Sequence, residues 1–255
     1  VLGVQLGDAA VHALGRGAVV GEDVDDHRIV ANISLLEGVD QLADLDVGVL
    51  KEAGIENFLI LEKDAGVGGT WWANTYPGCA CDVQSHLYSF SFEPNPDWTH
   101  MFGRQPEIRE YLEHCVQKYA LEPHLRLSTR VRTAEWQDDA CVWQVRTADG
   151  RTFTAPVLIG AIGGLSRPAL PEIEGMDRFA GPAFHSARWD HTVDLAGKRV
   201  ALVGSAAAAV QIVPEVAKTA AHLTVLQRSA NWIMPRNWKL SFTILGVSGL
   251  VTAAG

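Results

Sequence analysis

Two stretches place this chain in the α/β class. In VGVLKEAGIENFLILEKD, an amphipathic helix stops at Gly54 and a short apolar strand closes on Glu62, a β-α-β fragment by its periodicity. In KRVALVGSAAAAVQIVPEVAK, a buried strand enters a tight turn at Gly204 and a helix, and a further strand, Leu223–Leu226, follows. Strand, tight turn, helix, strand is the pattern of a Rossmann-like dinucleotide-binding unit, so two such units are expected.

Residues 1–46 form an atypical N-terminal segment. They hold no Phe, Trp, Tyr, Pro, Lys, Met or Cys, and the composition changes character near residue 47. A first unit, partial, is expected over 47–165. It contains the helix ending at Gly54, the strand Phe58–Leu61 and a helix over Glu107–Tyr119. Strands follow at Arg130–Trp136, Val142–Thr147, Thr152–Thr154 and Val157–Ile162, with Asp149-Gly150 as a hairpin turn. A linker is expected over 166–190 and a partial second unit over 191–255, with its strand at Lys198–Val203, helix at Ala206–Lys218 and strand at Leu223–Leu226.

Composition excludes several classes. The 255 residues, 47% hydrophobic and 20% charged, suffice for a sizeable core. A net charge of −9 argues against nucleic acid or an anionic membrane surface as partner. The N-terminus lacks the cationic and apolar regions of a secretory signal, which points to the cytoplasm. Cys79 and Cys81 have no second Cys or His pair at matching spacing, so no metal is expected. The apolar FTILGVSGLVTAAG falls short of the ~20 residues of a membrane span and reads as a cut-off helix.

Chemistry gathers after the first strand. A carboxylate at the position of Glu62 can accept both hydroxyls of a ribose diol. The following GVGGTWWANTYPGCACD lets backbone pass close to a flat ligand at Gly68, Gly69 and Thr70, and offers Trp71 and Trp72 to cover it.

This stretch, with Ser85, Tyr88, Ser89 and Phe90 after it, resembles the FAD-binding segment of Baeyer–Villiger monooxygenases and related class B flavin monooxygenases. Further on, FAGPAFHSARWD resembles their fingerprint through Phe179, Gly181, His185 and Trp189, with Asp190 next; IGAIGGLSRPALPEIEG resembles their interdomain linker. The resemblance implies an FAD domain with an inserted NADPH domain, here truncated, and a reaction in which NADPH and O₂ insert one oxygen atom into a ketone through a C4a-peroxyflavin. Oxidation of N or S atoms is the alternative, as is a non-catalytic nucleotide-binding fragment; Trp189 favours the ketone, since Phe or Tyr stands there in the N- and S-oxidising relatives. It further implies that Glu62, Gly69, Thr70, Trp71, Trp72, Asp82, Tyr88 and Val131 meet FAD. Asp82 would hold a catalytic Arg by a charge-assisted bond, while His185 and Trp189 would act through the linker, with direct acid–base work by His185 the weaker reading.

In the second unit the resemblance assigns Gly204, Ser205, Ala206, Gln211, Arg228 and Ser229 to NADPH, with Arg228 on the 2′-phosphate. Its G-x-G-x-x-G positions are Gly204, Ala206 and Ala209, so a methyl group stands where backbone would approach phosphate. The first unit departs more. Its glycine-rich turn would fall near Gly38, yet the chain there reads LLEGVDQLADLDVGVL. A chain that opens on Val, with this segment in place of the turn, reads as a fragment with an altered start, and weak or absent flavin retention is expected of it.

Overall fold

The computed structural model describes residues 25–26, 29–33, 54–163 and 167–233. The chain divides into two compact units, one comprising Val1–Asn74 with Val83–Glu172, the other Thr75–Asp82 with Ile173–Gly255.

Among the described residues, the first unit holds two sheets and two α-helices, one of them a single turn. Strands β1 (Asp25–Asp26), β2 (Ile29–Ile33), β3 (Phe58–Leu61), β4 (Leu125–Arg126), β5 (Val131–Gln137), β6 (Val142–Thr147), β7 (Thr152–Ala155) and β8 (Val157–Ala161) form the sheets. One sheet has the order β4-β3-β2-β8 with all pairs parallel; the other has the order β1-β7-β6-β5, with β5, β6 and β7 antiparallel and β1 parallel to β7. β3 is buried on both faces, and its continuous apolar run FLIL follows from that. Phe58 and Ile60 pack with Val116 and Leu121 on the helical side, whereas Leu59 and Leu61 pack with Val145, Phe153 and Ala155 of the antiparallel sheet. Each of these Phe, Leu, Ile and Val side chains contributes roughly 1.5–3 kcal/mol of burial.

Helix α1 (Thr70–Ala73) is a single turn after the glycines, and α2 (Gln105–Lys118) is the helix that covers the sheet. Pro106 and Glu107 start α2 as a helix N-terminus favours, and Ile108, Tyr111, Leu112, Cys115 and Val116 give it one buried face. Tyr111 donates its hydroxyl to the Glu93 carbonyl and accepts the Phe90 N–H, each at 2.8 Å. Burial pushes its phenol up.

The sequence pattern did not single out β1, β2, β4 or α1, and of these β2 matters most. It lies between β3 and β8, pairing Ile29 with Phe58 and with Val157. The expected helix ahead of Gly54 and the C-terminal apolar run lie outside the described residues.

The second unit holds β9 (Arg199–Val203), α3 (Ala207–Val216) and β10 (His222–Leu226). β9 and β10 are parallel and in register from Arg199↔His222 to Val203↔Leu226. Ala209, Ile212 and Val216 form the buried face of α3.

Candidate functional site

In the first unit the site is built on the end of β3. The Glu62 backbone continues the sheet, its N–H donating to the Arg126 carbonyl at 3.0 Å and its carbonyl accepting the Thr129 N–H at 2.7 Å. The carboxylate Oε1 accepts the Asp64 N–H at 2.8 Å. Burial pushes this carboxyl up, while the Asp64 and Lys63 N–H groups and the Lys63 charge oppose the shift. A buried carboxylate oriented by its own turn fits a diol acceptor.

The chain then passes Gly68 and Gly69, whose φ angles of +123° and +49° a side chain rarely adopts, and enters α1. The two tryptophans of α1 have different surroundings. Trp71 is buried, donates its indole N–H to the Tyr88 hydroxyl at 3.0 Å, meets that ring edge-on at 5.9 Å and has its carbonyl held by the Gln105 amide. Trp72 is half-buried with the Arg109 guanidinium 4.3 Å from its ring centroid. Its ring leaves no room for a side chain at Gly66, where a Cβ would lie 2.0 Å from Cζ3. Arg109 is itself held at 2.8 Å by Glu113, one turn along α2. Val131 opens β5 and pairs with Thr147. Glu62, Gly69, Thr70, Trp71, Trp72, Tyr88 and Val131 thus all belong to this unit, whereas Asp82, exposed, belongs to the other.

In the second unit the C-terminal ends of β9 and β10 and the start of α3 form one edge. Gly204, at φ +109°, donates its N–H to the Leu226 carbonyl at 2.8 Å and has open space where a Cβ would be. Ser205 Oγ lies 3.5 Å from the Ser229 carbonyl, and Asn231 donates to the Ser205 carbonyl. Ala206 is the extended residue before α3. Arg228 and Ser229 follow β10, both exposed. Helix-start N–H groups beside a cation make an anion site, so these residues fit a dinucleotide phosphate.

The fingerprint folds on itself in the same unit. A Cβ at Gly181 would lie 2.8 Å from the tip of the exposed Phe179 ring. His185 Nδ1 accepts the Ala187 N–H at 3.0 Å and so caps the short turn Ser186–Arg188; Trp189 meets Phe184 edge-on at 5.2 Å. Hydrogen bonds between Asp190 and Thr192 hold the Asp190 carboxyl below the usual range.

The sequence reading missed the partners. Gln105, Arg109 and the clasp that Gln211 forms around Ala80 carry no motif; the Pro77-Gly78 turn, tight enough to seat against a helix, was the one available signal. Two strand-end sites, one offering a buried carboxylate and the other a helix start with a cation, define a protein with two dinucleotide-binding units.

Comparison with known proteins gives the class a family. The family described as flavin-binding monooxygenase-like matches residues 38–246, and the chain belongs to it. A Baeyer-Villiger monooxygenase of Pseudomonas aeruginosa is 52% identical over 187 residues, 73% of this chain and 36% of that protein. Among solved structures, oxidized steroid monooxygenase bound to NADP is similar at 37% identity and a TM-score of 0.72, over 82% of this chain and 40% of that one. Cyclohexanone monooxygenase from Rhodococcus sp. Phi1 bound to NADP+ is similar at 33% identity and a TM-score of 0.74, over 83% and 40%. The chain therefore spans well under half the length of these relatives.

Proposed function

We propose that the protein to which this chain belongs is an FAD- and NADPH-dependent monooxygenase that uses O₂ to insert one oxygen atom into a small-molecule ketone, giving an ester or lactone. The observation that carries the reading is the coexistence, in one chain, of the strand-end Glu62 with its Gly-Gly-Thr-Trp-Trp turn and a fingerprint closing on Trp189. Bound flavin and NADPH would supply oxygen activation and the hydride. This chain's own residues bind and orient. Glu62 takes the FAD ribose diol, Gly69 and Thr70 pass backbone along the cofactor, and Val131 offers backbone to the adenine. Trp71, Trp72 and Tyr88 exclude water from the ring, a contribution that the burial of Trp71 and Tyr88 and their mutual contact support. Gly204, Ser205, Ala206 and Ser229 meet the NADPH pyrophosphate, and Arg228 meets the 2′-phosphate. Asp82 orients a catalytic cation, and His185 and Trp189 act through the linker. We also place the protein in the cytoplasm, a reading supported by Cys79, Cys81, Cys115 and Cys141, which form no disulfide with one another. Among the described residues no helix is long and apolar enough to cross a membrane.

A second reading is favoured by one feature. After β2, where a glycine-rich turn would cradle the flavin pyrophosphate, the sequence is Ser34-Leu35-Leu36-Glu37-Gly38, without G-x-G-x-x-G. On that reading residues 1–255 retain no flavin by themselves. The test is to purify the protein, record its visible spectrum before and after denaturation, and follow NADPH consumption under air with a cyclic ketone. A releasable flavin band with lactone formed supports the first reading; a colourless protein that still binds NADPH supports the second.

A further inference from the structure

We infer that Gln211 is a positioning residue that fastens the Thr75–Asp82 segment in the second unit. Three independent contacts carry this. Gln211 Oε1 accepts the Ala80 N–H at 3.0 Å and the Tyr76 hydroxyl at 3.2 Å, while Nε2 donates to the Ala80 carbonyl at 2.9 Å. Both lone pairs of the amide oxygen and one of its two N–H groups are thereby used. Next, Pro77 and Gly78 are the central residues of a turn closed by the Cys79 N–H on the Tyr76 carbonyl, with Gly78 at φ +81° as a type II turn requires. That turn is seated directly on α3: a Cβ at Gly78 would lie 2.6 Å from the Gln211 carbonyl oxygen and 3.0 Å from Glu215 Cγ. Finally, Thr75 Oγ1 lies 2.8 Å from His191 Nε2, two residues beyond the fingerprint Trp189. Cys79 and Cys81 are buried along the way, and Asp82 emerges exposed at the segment's end.

The consequence is that the segment bearing Asp82 is held by the same helix whose first turn is offered to the dinucleotide. With its oxygen filled by Ala80 and Tyr76 and one N–H given to the Ala80 carbonyl, the amide is oriented by the segment it clasps. Gln211 acts by setting where Asp82 stands. The effect on Asp82 rests on the monooxygenase reading above; the fastening itself does not.

The experiment measures amide hydrogen exchange over 75–82 and over β9 and β10, together with NADPH affinity, in the wild-type chain, Gln211→Met and Gln211→Glu. Gln211→Met keeps the bulk and removes the hydrogen bonds. Losing bonds of this kind lowers protection over 75–82 about tenfold or more, leaves β9 and β10 unchanged, and alters NADPH affinity less than about threefold. Unchanged protection over 75–82, or a large loss of NADPH affinity with protection intact, overturns the proposal. Gln211→Glu supplies a readout that packing alone would not move. Its carboxylate can accept from Ala80 and Tyr76 but cannot donate to the Ala80 carbonyl, so protection, corrected for intrinsic exchange, returns as the pH falls and the group protonates. Protection that ignores pH overturns the clasp. Should Gln211→Met fail to fold, Gly78→Ala lifts the turn from α3 with Gln211 in place and gives the same local loss; no loss there overturns the proposal equally. A wild-type chain that binds no NADPH defeats the functional reading while the exchange arm still decides the fastening.

Discussion

Replacing Gly66 with Ala tests whether the glycine is there to admit Trp72. The new methyl would lie 2.0 Å from Cζ3 and 2.5 Å from Cε3 and Cη2 of that ring. Carbon atoms rest at about 3.5–4 Å, so the ring must retreat by roughly 1.5 Å. It cannot do so without disturbing the Arg109 guanidinium, 4.3 Å from its centroid. Overpacking of this kind costs about 1–3 kcal/mol, and a lost cation–π contact adds about 0.5–1 kcal/mol. The expected total is about 1.5–4 kcal/mol, read as a lower urea midpoint followed by circular dichroism. A double-mutant cycle isolates the cause: in a Trp72→Leu background, Gly66→Ala should cost less than about 1 kcal/mol, because the obstructing ring is gone. If Gly66→Ala is equally costly in both backgrounds, the Trp72 contact is not the reason for the glycine.

Two other outcomes follow from the sites. Burial raises the folded-state pKa of Glu62 above 4.5, so its contribution is most favourable in acid and is lost as pH rises through the folded value. Glu62→Gln keeps an acceptor for the Asp64 N–H and should therefore be more stable than wild type at pH 7, with the two urea midpoints converging near pH 4; parallel curves would remove burial as the cause. Arg228→Ala should weaken NADPH binding about 10–100-fold, the worth of a charge-assisted bond, and leave NADH binding nearly unchanged in fluorescence titrations. Equal losses with both would take Arg228 away from the 2′-phosphate.

Much of the architecture was legible because it depends on patterns within a few residues. β3, α2, the β5–β6–β7 meander and the β9–α3–β10 unit were each read from apolar runs, helical spacing and glycine punctuation, with ends shifted by a residue or two. β2 was not, since five residues in an aromatic-free segment give too short a signal and its place is set by partners distant in sequence. The short helix α1 was equally hidden behind two glycines. At the site, Glu62, the Gly-Gly-Trp-Trp turn and Gly204 announce themselves by residue type and position. Which face of Trp72 meets Arg109, or which amide clasps Ala80, is decided by tertiary contacts that no local spacing encodes.

The place of β2 also bears on the order in which the first unit can assemble. Its ladder to β3 joins residues close enough to form while the chain is still short, but its ladder to β8 requires Val157–Ala161, after α2 and the whole meander. Closing so long a loop is slow, because its entropy is spent before the contacts return anything. Until then one edge of β2 has no partner from its own chain, and an open parallel edge pairs readily with a neighbour's. Dilute refolding should therefore give more soluble protein than concentrated refolding.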